Sequence, residues 1–390
     1  MALLGAAVLL PAQRRLTEQE AVALALQNHP AMAAAEGQLR QQQLMGASAP
    51  AWDPAQFFHN VTADPDLGLL GTTTVGVQQN FPSGRQIKAA RSVYAGRQQE
   101  AQARLDLERL SVGRQVRDLY HHISYLQARQ ALYLRLDSVY QRVALAAENR
   151  HRLGDAPLAE SLALRDKARQ VALEYQTIGH EIEFDHYVLA QLLGSAEPVV
   201  PIVEPLHEGS FSLADTSRLA YSATALLAQS QTALAQAELA VANARFAPVA
   251  SAGVYGQYLG DGQVFPGWQL GLNVPLFRKS LNTQAKAAQV GVAVAGANRQ
   301  HLLLAQRTEL GHLLHQQEKF QLLIGYYHQQ GQALAAELIR SGELNYRQGE
   351  AGYTELVQLL EQAAQIELNY LDHLLGLNQT IIALEALSGQ

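Results

Sequence analysis

The 390-residue chain contains no cysteine. That excludes disulfides, thiolate metal sites, a catalytic thiol and a lipidated N-terminal cysteine together. With only three methionines beside it, a soft-metal relay of sulfur ligands is excluded too. Basic charge is scarce: 29 Lys and Arg stand against 35 Asp and Glu, a formal net charge of −6. At pI near 6.1 the chain lacks the basic face that binding to nucleic acid requires. Beyond Leu10 no stretch approaches the ~18 uninterrupted apolar residues of a transmembrane helix. A membrane could be crossed only as a β-barrel, where strands satisfy one another's backbone groups.

Chemistry is thin as well. No Ser–His–Asp spacing, phosphate-binding glycine loop or paired-carboxylate cleft stands out, so no catalytic residue, cofactor site or enzyme is expected. The histidines His312 and His315, His121 and His122, and His180 and His186 (flanking Glu181, Glu183 and Asp185) make no three-ligand set of helical geometry. Polar roles on surfaces or between helices are expected of them, and no metal site. Residues 1–13, MALLGAAVLLPAQ, are apolar and end in small residues, like the later part of a signal peptide. The basic start of such a peptide is missing and would lie upstream; a merely hydrophobic N-terminus is the alternative.

What is present is a duplication. Residues 151–168, HRLGDAPLAESLALRDKA, align without gaps on 346–363, YRQGEAGYTELVQLLEQA. Arg152 falls on Arg347, Gly154 on Gly349, Asp155 on Glu350 and Glu160 on Glu355, at an offset of 349 − 154 = 195. Upstream, Asn80-Phe81-Pro82 matches Asn273-Val274-Pro275 at an offset of 193. Chance alignment of Ala/Leu-rich helices does not give two matches at nearly one offset.

Each half has the same grammar. A helical stretch (about 17–48, then 213–246) runs into Pro50 or Pro248, which disfavours helix in the preceding residue. The hydrophobic period then changes to two. Trp268, Leu270, Leu272 and Val274 alternate with Gln269, Gly271 and Asn273, and Val75 and Val77 alternate with Thr74 and Gln78. Strands are expected at about 55–63, 72–81, 249–259 and 267–274. One apolar and one polar face suits a membrane barrel with a wet lumen, and equally an ordinary half-buried sheet. Trp52 and Trp268, the only tryptophans, fall at strand starts and would serve as barrel-interface aromatics.

After each strand pair a long helix is expected, about 84–151 and 281–346, with returning helices at about 158–193 and 353–387. Val112, Val116, Leu119, Ile123 and Leu126 keep coiled-coil spacing, as do Leu356, Leu359, Ala363, Ile366 and Tyr370. At 1.5 Å per residue, roughly 67 helical residues reach about 100 Å. A compact globule needs no such helices; a tube does. Four strands cannot close a barrel, since barrels begin at about eight strands. The reading therefore demands an oligomer.

The duplication, the N-x-P step from strand to helix, and the H-R-x-G and Y-R-x-G turns resemble the TolC family of outer-membrane efflux proteins. The segment from Leu344 to Leu387 looks especially similar to outer-membrane partners of heavy-metal RND pumps. That resemblance implies a mainly α fold with a β-barrel part. Three chains, each giving four strands, would form a 12-stranded outer-membrane barrel continued by a periplasmic α-helical tunnel. The first repeat would span 16–195, an equatorial linker 196–211 and the second repeat 212–390, after a truncated signal peptide at 1–15. Partners implied are two further copies (a homotrimer), a periplasmic adaptor or membrane fusion protein, an inner-membrane RND pump and outer-membrane lipid. The duct would pass heavy-metal cations without chemistry of its own. A multidrug or type I secretion channel is the related alternative, and a soluble coiled-coil scaffold the unrelated one.

Gly154 and Gly349 sit where a helix reverses and a positive φ is needed. By resemblance, the tips carrying Arg152, Gly154, Asp155, Arg347, Gly349 and Glu350 would dock the adaptor. Glu160 and Glu355, six residues beyond each glycine, would form an acidic entrance ring; solvated outer-face carboxylates are the alternative.

Overall fold

The computed structural model describes residues 14–48, 53–64, 68–195, 199–212, 219, 222–259 and 263–389. A short strand β1 (Arg14–Leu16) leads into α1 (Glu18–Asn28) and α2 (Pro30–Ser48). Strands β2 (Gln56–Asp64) and β3 (Gly68–Phe81) are followed by α3 (Gly84–Leu153) and α4 (Leu158–Leu192). The second half reads β4 (Val199–Pro201), α5 (Ala223–Ala244), β5 (Val249–Tyr258), β6 (Val264–Asn273) and α6 (Lys279–Tyr326). A π-turn (Tyr327–Gly331), α7 (Gln332–Gln348) and α8 (Tyr353–Ser388) complete it.

Local chemistry explains the boundaries. Thr17 and Glu20 form a reciprocal capping box at the start of α1. The first helical stretch, expected as one piece, is two: Pro30 forces His29 to an extended ψ of 129° and then opens α2. Ser83 and Gln86 cap α3 in the same reciprocal way, which turns the N-x-P step into a helix start. The long second-half helix is also interrupted. Asn80 to Gly154 spans 154 − 80 = 74 positions, and Asn273 to Gly349 spans 349 − 273 = 76. The two extra positions lie before the helix, between Asn273 and Lys279, because Gly84–Leu153 and Lys279–Gln348 both hold 70 residues; the π-turn interrupts the second without lengthening it.

The compact units cut across the sequence halves. One comprises Met1–Ala33, Glu108–Ser222 and Gln306–Gln390; the other comprises Ala34–Leu107 and Ala223–Ala305. Each draws on both repeats.

The first unit is helical. Val112, Val116, Ile123 and Leu126 are buried along α3 as the heptad spacing requires. On α8 the seam runs through Leu356, Leu360 and Ala363, with Leu360 in place of the expected Leu359 at the buried position. Tyr140, Val143, Leu164, Tyr346, Leu356 and Leu360 belong to one apolar cluster linking α3, α4, α7 and α8. The stretch expected as a linker is strapped down: β4 pairs in parallel with β1, Arg14 opposite Val199. Residues 14 and 15, assigned above to a signal-like segment, therefore belong to a strand. Further along, Ser124 Oγ donates to the Glu204 carbonyl at 2.7 Å, and Gln317 bonds both backbone groups of Phe211 at 3.1 Å.

The second unit holds a four-stranded antiparallel sheet of order β2-β3-β5-β6. The strand pairs of the two halves join through β3 and β5, from Thr73 opposite Tyr258 to Phe81 opposite Ala250. Among the described residues β2 and β6 are edges with no further strand. No helix among them is long and apolar enough to cross a membrane.

Candidate functional site

The two helix reversals have the same geometry. Gly154 takes φ 84° and Gly349 φ 78°. In the first, Gly154 N–H donates to His151 O and Asp155 N–H to Arg150 O, at 3.0 and 2.9 Å. In the second, Gly349 N–H donates to Tyr346 O and Glu350 N–H to Asn345 O, at 3.2 and 2.9 Å. These are paired Schellman closures, which satisfy the last carbonyls of each helix only if one residue turns left-handed. Substituting Gly349 with Val should cost about 1–2 kcal/mol through the positive φ alone. The expected readout is faster amide exchange at residues 345–351; an unchanged rate would refute the strain.

Around the turns, Arg152, Asp155, Arg347 and Glu350 are exposed, whereas Ala156 and Ala351 are buried beneath them. Arg152 bonds Asn149, and Arg347 lies 4.0 Å from Glu343. Basic residues in the final turns, Arg150 and Arg152 in α3 and Arg347 in α7, oppose the negative helix ends. Tip residues thus stand free to meet another surface.

The paired glutamates are not equivalent. Glu355 is exposed. The Glu160 side chain keeps only 15% of its exposure and accepts a hydrogen bond from the Tyr346 hydroxyl at 2.6 Å. Arg150 completes the contact: its guanidinium lies 4.9 Å from the Tyr346 ring centre, 3.8 Å from the Glu160 carboxylate, and donates to Tyr346 O at 3.1 Å. The first hairpin is thereby latched to the second. Arg142 with Glu343 at 2.6 Å, Lys167 with Glu361 and Arg135 with Glu367 continue the join, each with its base on the first hairpin.

Burial, and then the bond to the Glu160 carboxylate, raise the Tyr346 hydroxyl well above the ordinary tyrosine range. A raised pKa means this stabilisation is complete below about pH 10 and lost as pH rises through the folded value. Protection of residues 345–351 should accordingly hold constant from neutral pH to about pH 9 and fall above about pH 10. Tyr346→Phe should abolish that alkaline step. A step that persists in the variant would assign it elsewhere.

Arg150 and Tyr346 escaped the sequence reading, because Tyr346 aligns with His151 and the repeat hid a contact made between its copies. The expected histidine roles are seen as contacts between and along helices: His122 to Asp185 at 2.7 Å, His121 to Glu18 at 3.4 Å, His180 to Glu183 at 3.4 Å. Among the described residues no group of three His, Asp or Glu side chains is arranged to hold a metal ion.

The sheet, in the other unit, is a separate candidate site. One face carries Val75, Val77, Val254, Trp268, Leu270 and Leu272; Val254 is 65%, Trp268 73% and Leu270 74% exposed. The opposite face carries Thr74, Gln78, Asn80, Tyr255 and Gln269. Trp268 lies in the middle of β6, since that strand starts at Val264 rather than at 267 as expected; Trp52 lies outside the described residues. Opposite Val254 on the neighbouring strand, Trp268 stands on the apolar face at mid-strand, not at its rim.

Solved structures match this fold along nearly the whole length of the chain. The fold is that of outer-membrane channels. The outer-membrane channel OprN superposes with a TM-score of 0.83 at 16% identity, over 95% of this chain and 89% of that chain. VceC, an outer membrane protein of Vibrio cholerae, gives 0.79 at 18% identity, over 95% and 96%. CusC, described for conformational changes accompanying folding and transmembrane channel formation, gives 0.81 at 13%, over 95% and 91%. No family model and no curated protein matches the sequence. The TolC-like channel fold implied by the resemblance is therefore the fold observed.

Proposed function

We propose that this chain is one protomer of a homotrimeric efflux duct in the outer membrane. It passes substrate from the periplasm outward for an inner-membrane RND pump, to which a periplasmic adaptor couples it. The observation that carries this reading is the sheet. A solvated apolar face such as Val75, Val254, Trp268 and Leu270 is costly in water and suited to lipid. Two open edges in lipid would leave backbone groups unpaired, and three copies of four strands remove every edge. A soluble scaffold offers no use for that face.

The hairpin turns are the adaptor-docking tips, through Arg152, Gly154, Asp155, Arg347, Gly349 and Glu350. Tyr346–Glu160–Arg150 holds them closed, and release of that contact opens the entrance by an iris-like movement. Exposed Glu355, three per trimer, supplies the acidic ring, whereas Glu160 serves the latch. Trp268 meets lipid on the barrel's outer surface. Heavy-metal cations are the proposed cargo, on the resemblance of the Leu344–Leu387 segment to partners of metal pumps.

The deciding experiment compares a deletion strain with its parent across copper, silver, zinc, cobalt, cadmium and nickel. Sensitisation to one or more of these ions is the expected result. Sensitisation to drugs alone would move the duct to the multidrug alternative, and a detergent-free soluble protein would end the duct reading.

A further inference from the structure

Side chains cross the polar face of the sheet in registered rows. One row runs Gln56, Gln78, Gly253, Gln269 over β2, β3, β5 and β6. Gln269 Nε2 donates to Gln78 Oε1 at 2.9 Å, reaching over the intervening strand. Gly253 permits this: a Cβ there would stand 2.7 Å from Val77 O and 3.2 Å from Gln269 Cγ and Nε2. The next row is Phe58, Gly76, Tyr255, Gly267. Both rings lie over glycines; a Cβ at Gly76 would meet Phe58 Cζ at 2.4 Å, and one at Gly267 would meet Tyr255 Cζ at 2.4 Å. The aromatics therefore lie along the wall instead of projecting from it. Rows on either side add Asn60, Thr74, Gln257 and the exposed Phe265, then Asn80, Ser251 and Gly271; Phe265 is uncharged like the rest.

Charge is missing from this face in a specific way. Across residues 56–62, 72–80, 251–257 and 265–273 there is no Asp, Glu, Lys or Arg, and the one histidine, His59, pairs with Val75 on the apolar face. Asp64, the acid at the end of β2, lies outside these rows.

Resting on the duct reading, we propose that this face is a charge-neutral exit, an amide girdle that neither sorts ions by sign nor retains divalent metal. An amide offers a donor and an acceptor, so it solvates either sign weakly. Holding a divalent transition metal takes carboxylate, imidazole or thiolate, none of which the rows supply. A conducting path needs its contacts weak enough to leave, and a wall of amides and hydroxyls meets that need. Selection of cargo then lies outside this face.

The Gln78–Gln269 contact makes this testable by gain of function, because two histidines there would stand within reach of one ion. Full-length trimers are placed in planar bilayers, and zinc chloride is added on the side the strands face. Wild-type current is expected to stay unchanged at zinc concentrations that block the Gln78→His/Gln269→His double variant, with half-block shifted at least about tenfold and reversed by chelator. In a potassium chloride gradient, Gln78→Glu/Gln269→Glu should move the reversal potential toward cation selectivity relative to wild type. Zinc block of the wild type from that side, or a double-histidine variant as insensitive as wild type, would overturn the neutral girdle while leaving the duct intact. Failure of every version to insert and conduct would sink the duct reading and the girdle with it.

Discussion

Replacing Val254 with Arg is expected to keep the chain out of the outer membrane. Val254 lies on β5 between Val77 and Trp268, 65% exposed on the apolar face of the single chain. An arginine on the lipid side of a barrel costs about 2–4 kcal/mol near the bilayer midplane, and a trimer carries it three times. Among the described residues paired on that face, none offers the guanidinium a carboxylate. Gln257→Arg, on the opposite face of the same strand, should assemble normally because it would meet water. Density-fractionated membranes and the heat-modifiable trimer band on gels report both variants. Normal assembly of Val254→Arg, or equal failure of the two, would mean that the apolar face does not meet lipid.

The second large effect is expected at the tips. Tyr346→Phe keeps the ring under Arg150 but removes the hydroxyl that Glu160 accepts from at 2.6 Å. A hydrogen bond to a charged group contributes about 1.5–3 kcal/mol, and its loss leaves a mostly buried carboxylate short of a donor. Glu160→Ala should act alike, leaving the tyrosine hydroxyl unpaired. Glu355→Gln should do much less to closure, because Glu355 is exposed. Trimers reconstituted in bilayers should show larger and more frequent openings for the first two variants. If both conduct as wild type does, the Tyr346–Glu160 contact is not what holds the entrance closed. The bridges Arg135–Glu367 and Lys167–Glu361 are poorer targets, since exposed pairs contribute about 0–1 kcal/mol.

Much of this molecule is written locally. A glycine after a helix, followed at equal spacing by an acid and an alanine, marks both reversals, because only a left-handed residue closes a Schellman turn without strain. Strand faces follow from alternation, since the pleat has a period of two. Long helices follow from proline-free heptads. The limits were local too: the break at Pro30 depends on one proline, and the π-turn leaves its helix the same length as the first copy, so a coarse reading of periodicity passes over both.

By itself, then, the sequence determined the long helices and the four sheet strands, their duplication, the turn glycines and the two faces of β3 and β6. Periodicity and backbone sterics act within a few residues, so these needed no partner. Tertiary structure alone decided that β3 pairs with β5 to make one sheet from two halves, and that the compact units cut across the repeat. It also decided the fate of the two glutamates. Glu160 and Glu355 occupy the same place in the same motif, yet one is latched to Tyr346 and the other meets solvent. A repeat makes its copies alike in local geometry, but packing one copy against the other puts different neighbours beside equivalent residues.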